Sequence, residues 1–247
     1  LTKDADLQHW LKTIRAQYPT VEKFERDFPT LCFALATGVG KTRLMGAIIA
    51  WLFITGRSRH FFVLAPNLTI YEKLKQDFTL GSQKYVFQGI PELAQTPPII
   101  VTGDDYGDGR GVRLDYAVPA SMTPDMFGAD TAPHINIFNV SKINALGETK
   151  KGAAKSKTAK IRRLQEYVGD SYFNYLAELP DLVVLMDEAH RYYASAGATA
   201  IDDLKPILGI ELTATPKTTG ANPREFKNII YHYPLAKALA DGYVKMP

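Results

Sequence analysis

Three short clusters in the 247-residue sequence carry side chains able to do chemistry. In Gly38-Val39-Gly40-Lys41-Thr42, two glycines free the backbone to wrap a phosphate, and a cation and a hydroxyl follow at once. The stretch Thr37, Gly38, Val39, Gly40, Lys41, Thr42 and Arg43 is therefore the nucleotide-binding candidate. Its N–H groups would meet a triphosphate, Lys41 would reach the β and γ phosphates, and the Thr42 hydroxyl would bind magnesium. One departure stands in the pattern G-x-x-x-x-G-K-[ST], because its first position falls on Leu35. The plain alternative is a glycine turn with a surface lysine and threonine.

Asp187-Glu188-Ala189-His190 follows the apolar run Leu182 to Met186. An acidic pair emerging from such a run is costly unless it serves a cation or a proton transfer. Asp187 would hold magnesium, Glu188 would orient and deprotonate the water that attacks the γ phosphate, and His190 would link nucleotide state to a neighbouring motif. An ordinary charged turn is the alternative. Thr213-Ala214-Thr215-Pro216 again ends an apolar run, and the hydroxyls of Thr213 and Thr215 could bond a neighbouring histidine or carboxylate without bulk.

These clusters need elements to hold them. Leu31–Ala36 reads as a strand, the glycines as a turn, and 43–54 as a helix with no clean polar face, hence sandwiched against a sheet. Strands are expected at 61–65, 99–101, 135–138, 182–186, 207–212 and 229–231, and helices at 68–78, about 161–179 and 235–240. Trp10, Leu11, Ile14 and Tyr18 lie at helical spacing before Pro19, in a lead-in over 1–29. Uninterrupted apolar strands alternating with helices predict an α/β fold, a mostly parallel sheet covered on both faces. Such sheets bind ligands at the carboxyl ends of their strands, where all three clusters fall.

Composition sets the outer limits. With 46% hydrophobic and 22% charged residues the chain can bury a core, and its net charge of +3 neither demands nor forbids nucleic acid. The single cysteine, Cys32, excludes an internal disulfide framework, makes a reducing interior the simpler compartment and is most simply a buried small hydrophobe. No export or membrane segment is legible, so a cytoplasmic protein is expected. A long Gly-, Asp- and Pro-rich connection covers 103–133, and eight Lys or Arg stand against one Glu over 142–163. That basic run reads either as a track for a phosphate backbone or as a solvated loop. Asp104, Asp108, Gly109 and Asp115 fall at calcium-loop offsets, but Tyr106 takes a ligand position and no closing Glu follows. His9, His60, His134 and His232 show no ligand spacing.

Taken in order, Ala36-Thr37-Gly38-Val39-Gly40-Lys41-Thr42, Asp187-Glu188-Ala189-His190 and Thr213-Ala214-Thr215 resemble motifs I, II and III of superfamily 2 helicases and translocases of the DEAD/DEAH type, in their first RecA-like domain. Leu64-Ala65-Pro66-Asn67 resembles the motif that touches the nucleic-acid backbone in that family, and Asn139-Val140-Ser141-Lys142 stands in the place of a second such contact. The segment Ile229 to Leu235, with Asp241-Gly242-Tyr243-Val244-Lys245, is similar to the join between the two RecA domains in restriction subunits of type III restriction enzymes. The resemblance implies an ATPase domain over 30–247 that uses ATP and Mg2+. It also implies duplex DNA as nucleic-acid partner, a second RecA domain beyond this fragment, and a DNA-reading modification subunit. An RNA helicase domain, or a nucleotide-gated binding module without turnover, shares the same motifs. The adenine-reading glutamine of many relatives has no counterpart in Gln8 or Gln17, and no nuclease pattern or arginine finger is visible. Such a finger contributes about 10³ to 10⁵ in rate, so slow turnover is expected of this piece alone.

Overall fold

A computed structural model describes residues 3–104, 132–139, 170–193, 201–218 and 223–244. The expected helix preceding Pro19 forms as α1 (Lys3–Gln17), although only Leu11 of its predicted stripe is buried, and Trp10 and Tyr18 face solvent. The first cluster is flanked by β1 (Thr30–Leu35) and α2 (Lys41–Ile54), and β2 (His60–Ala65) leads into α3 (Leu68–Phe78). A short helix absent from the sequence reading, α4 (Pro91–Gln95), precedes β3 (Ile99–Thr102) and β4 (His134–Asn139). The helix expected over 161–179 is described only as α5 (Asp170–Glu178). After it come β5 (Val183–Asp187), a 3-10 turn (Ala189–Tyr192), β6 (Leu208–Thr213), β7 (Ile229–Tyr233) and α6 (Leu235–Ala240).

The seven strands form one sheet in the order β3-β4-β2-β5-β6-β1-β7, and every pairing between them is parallel. The physical reason is written in the strands. Side chains alternate between faces, and here both faces are covered, so apolar residues fill both registers. Phe61, Val63, Val183 and Leu185 join a core with Met45, Ile49, Tyr71 and Leu74 from α2 and α3. Phe62, Leu64, Val184 and Met186 face the opposite way, toward Tyr172, Phe173 and Leu176 of α5. Each such side chain fully buried contributes roughly 1.5–3 kcal/mol.

Three features depart from expectation. The α2 helix is not sandwiched all round: Met45, Ile49 and Leu52 are buried, while Trp51 is 55% exposed, with the Arg57 guanidinium 5.2 Å from its ring centre. The strand expected to stop at Met186 runs one residue further, since Asp187 still pairs with Leu212 of β6. Residues 20–29 are tied to the sheet rather than merely leading into it: Thr20 Oγ1 donates to the Ile229 carbonyl at 2.8 Å, and Phe28 is buried in the core.

Candidate functional site

The sheet order puts β6 between β1 and β5, so the three clusters arrive side by side at one carboxyl edge. At the end of β1 the chain is fixed by the Ala36 N–H, which donates to the Tyr233 carbonyl of β7 at 3.0 Å. It then turns through Gly38 and Gly40, whose φ angles of 87° and 100° are accessible to glycine at little cost. Gly40 caps α2 without a side chain, and no acidic residue occupies the first turn. The first N–H groups of a helix lack partners within it, so this end suits an anion. Thr37, Gly38, Gly40 and Arg43 are exposed, Val39 packs against the core, and Thr42 is half-buried at the second position of the helix.

Lys41 and Glu188 meet. The lysine Nζ lies 2.9 Å from Glu188 Oε1, with the two side chains only 10% and 19% exposed. This ammonium nitrogen is buried and its contact with Glu188 lacks hydrogen-bond geometry, so the pair is held by charge. Glu188 itself adopts the left-handed conformation, φ 51° and ψ 53°, a state that costs a non-glycine residue of order 1 kcal/mol or more. In this conformation Glu188 starts the 3-10 turn.

From Glu188 the contacts continue. His190 Nδ1 lies 3.5 Å from Glu188 Oε2 and 2.9 Å from Thr213 Oγ1. The Thr213 hydroxyl accepts the Thr215 N–H at 3.0 Å and lies 3.1 Å from the Thr215 carbonyl. Thr215 thus enters through its main chain, and its side chain is exposed, unlike the paired-hydroxyl role expected from sequence. Burial pushes the His190 pKa below its ordinary value, against the opposing pull of Glu188. A largely neutral imidazole therefore joins β5 to β6.

Asp187 is buried at the end of β5, where one of its oxygens accepts the Glu188 N–H at 3.1 Å. Burial first, and then the charge of Glu188, push its pKa up, while Lys41 pulls the other way. A divalent cation would relieve both penalties. Among the described residues no set of three His, Cys, Asp or Glu side chains could hold a metal alone. Magnesium commonly takes one carboxylate, a hydroxyl, substrate phosphates and water, and Asp187 and Thr42 are the residues that could hold it.

Other sequence-derived candidates lie elsewhere. Pro66 is buried, and the Asn67 side-chain carbonyl accepts the Ile70 N–H at 2.9 Å, capping α3. Ser141 and Lys142, with nearly all of the 103–133 connection and the basic run, lie outside the described residues. Asp104, the first calcium-loop candidate, accepts the Tyr71 hydroxyl at 2.9 Å and the Lys75 ammonium at 3.0 Å.

Two features escaped the sequence reading. The fully buried Tyr192 donates its hydroxyl to the Leu64 carbonyl at 3.0 Å, fastening the 3-10 turn to β2. Behind Thr213 on the same strand, fully buried Glu211 receives the Tyr193 hydroxyl, Asn228 Nδ2 at 2.9 Å and Arg26 Nε at 3.4 Å. A lone charge between Ile210 and Leu212 was the available signal. Among the described residues no helix is long and apolar enough to cross a membrane.

The family model "Type III restriction enzyme, res subunit" matches residues 8–218. No curated protein matches the sequence. Among solved structures, the chain is similar to a nuclease-deletion mutant of the Type ISP restriction-modification enzyme LlaGI in complex with a DNA substrate mimic, at 12% identity and a TM-score of 0.49, covering 96% of this chain and 20% of that one. It is also similar to the Pyrococcus furiosus Hef helicase domain, at 19% identity and a TM-score of 0.39, covering 85% of this chain and 33% of that one. The chain thus spans between a fifth and a third of the length of these structures.

Proposed function

Because the chain belongs to the family of the type III restriction enzyme res subunit, we propose that it is the first RecA-like ATPase domain of a DNA translocase of that kind. The supporting observation is the run of contacts Lys41–Glu188–His190–Thr213, which joins the phosphate loop to two further strand ends. With ATP at the site, the N–H groups of Thr37 to Arg43 hold its phosphates, and the Lys41 ammonium moves from Glu188 to the β and γ oxygens. Glu188, freed of its counterion, accepts a proton from the attacking water. Asp187 and Thr42 would hold magnesium, which when bound would supply positive charge to offset that of the phosphates. His190 steadies the second Glu188 oxygen and carries the state of the site to Thr213 on β6. Duplex DNA as the moved substrate, a second RecA domain that completes the site and a DNA-reading subunit belong to the same reading.

Lys41→Ala and Glu188→Gln test it. Both variants are expected to abolish DNA-stimulated phosphate release by the full-length parent protein, with Glu188→Gln still binding Mg-ATP. Undiminished release from both would overturn the assignment. Stimulation by RNA in place of duplex DNA would redirect it to an RNA helicase.

A further inference from the structure

The triphosphate site described above fixes one end of a nucleotide. Its γ phosphate belongs near Glu188 and Asp187, on the β5 and β6 side of β1. Sugar and base must then leave toward the other neighbour of β1, which is β7. Three tyrosines gather on that flank.

Tyr233, at the end of β7, pairs with Leu35, and its ring sits within the core. Its hydroxyl donates to Asp241 Oδ2 at 2.7 Å. Tyr231 lies nearly parallel to it, with ring centroids 6.4 Å apart and planes 10° apart. Helix α6 follows, anchored by the fully buried Ala238. Just past the helix Gly242, at φ 75°, reverses the chain, so that the Tyr243 N–H donates to the Ala238 carbonyl at 2.9 Å. The reversal sets the Tyr243 ring edge-on to Tyr233 at 6.3 Å. It also places Val244 against the phosphate loop, since a Cβ built on Gly38 would lie 3.8 Å from Val244 Cγ2.

The backbone of 242–244 is therefore fixed, but its ring is not covered. Tyr243 is 71% exposed and Tyr231 50%, on either side of a Tyr233 that is 9% exposed. An exposed aromatic face carried on fixed backbone beside a phosphate loop has a complement in a planar nucleobase, and base–aromatic stacking needs no matched hydrogen-bond edge.

We propose that the base of the bound nucleotide stacks on Tyr243, within the Tyr231–Tyr233–Tyr243 cluster. Tyr243 is then a specificity-determining residue that favours nucleoside triphosphates over bare polyphosphate. The proposal rests on the phosphate-loop reading, and the experiment separates the two. Binding of Mg-ATP and of inorganic Mg-tripolyphosphate is measured by calorimetry for the wild-type chain, Tyr243→Ala, Tyr243→Phe and Lys41→Ala. Tyr243→Ala is expected to weaken ATP by about 5- to 100-fold while changing tripolyphosphate by less than about twofold. Tyr243→Phe keeps the ring and retains ATP affinity. Lys41→Ala weakens both ligands. If Tyr243→Ala weakens neither ligand, or both equally, the base does not stack there, whereas loss of both ligands in Lys41→Ala leaves the phosphate site standing. Unchanged binding of both ligands in Lys41→Ala would overturn the phosphate-loop reading and the stacking proposal together.

Discussion

The ammonium of Lys41 and the carboxylate of Glu188, from elements on opposite sides of β6, form an ion pair of 2.9 Å. Each therefore neutralises the other until an anion competes for the lysine. On the proposed reading, a bound phosphate would have to draw Lys41 away from Glu188, and the pair would oppose phosphate entry.

Glu188→Gln removes that competition. Mg-free tripolyphosphate is expected to bind the variant several-fold more tightly, on the order of 1 kcal/mol. Calorimetric titration at low salt measures it, and weaker binding to the variant would show that the pair does not compete with phosphate.

The His190–Thr213 contact should appear as a coupling energy. Urea unfolding of His190→Ala, Thr213→Val and the double variant is expected to give about 0.5–1.5 kcal/mol of non-additivity. The cycle is needed because Thr213→Val also strips the Thr215 main chain of its partner. Strict additivity would mean that the histidine does not connect the two strand ends.

Glu211 is the acceptor shared by Tyr193, Asn228 and Arg26 in a place without water access. Glu211→Ala leaves these donors buried and is expected to cost about 3–5 kcal/mol. Glu211→Gln, which keeps an acceptor of the same shape, should cost less. Urea midpoints of the two variants give the comparison, and equal losses would place the energy in the charge, with nothing contributed by the shape and packing that glutamine retains.

The pH dependence separates two carboxylates of opposite sign. Asp187 has its pKa raised by burial and by Glu188, so the folded state binds its proton more readily. Its favourable contribution is present below the ordinary value of 3.8 and is lost as pH rises through the raised folded value. Asp181 is the reverse: burial opposes its ionisation, but the hydrogen bonds from His60 and from the Arg59 N–H prevail and hold it low. Its contribution is present above 3.8 and is lost as pH falls through the lowered value. Asp187→Asn is therefore expected to raise the urea midpoint at neutral pH, with the gain shrinking on acidification, and Asp181→Asn to lower it at neutral pH. A midpoint for Asp187→Asn below wild type at pH 7 would contradict the sign.

Much of the framework was legible in the sequence because the strands that matter are buried on both faces. Leu182 to Met186 and Phe61 to Ala65 can be little else than interior strands when turn residues bound them, and the chemistry-bearing residues follow them directly. What escaped depends on tertiary partners that leave no period. Tyr85, Val86, Phe87 and Leu93 complete the core under α2 and α3, yet their spacing matches neither a helix face nor an alternating strand. Tyr192 and Tyr193 are adjacent in sequence but turn to different partners, the Leu64 carbonyl and Glu211, which no local pattern encodes. Asp187 read as the residue after a strand because charge ordinarily ends one, whereas here β6 supplies a ladder partner for it.

The position of β6 also sets a dimension. Two lateral strand spacings separate β1 from β5, about 10 Å, and no rearrangement of the glycine turn can narrow that distance. A long amine and a long acid span it, so the reach between Lys41 and Glu188 is set by hydrogen bonds of the β-ladder, well away from the two side chains that meet.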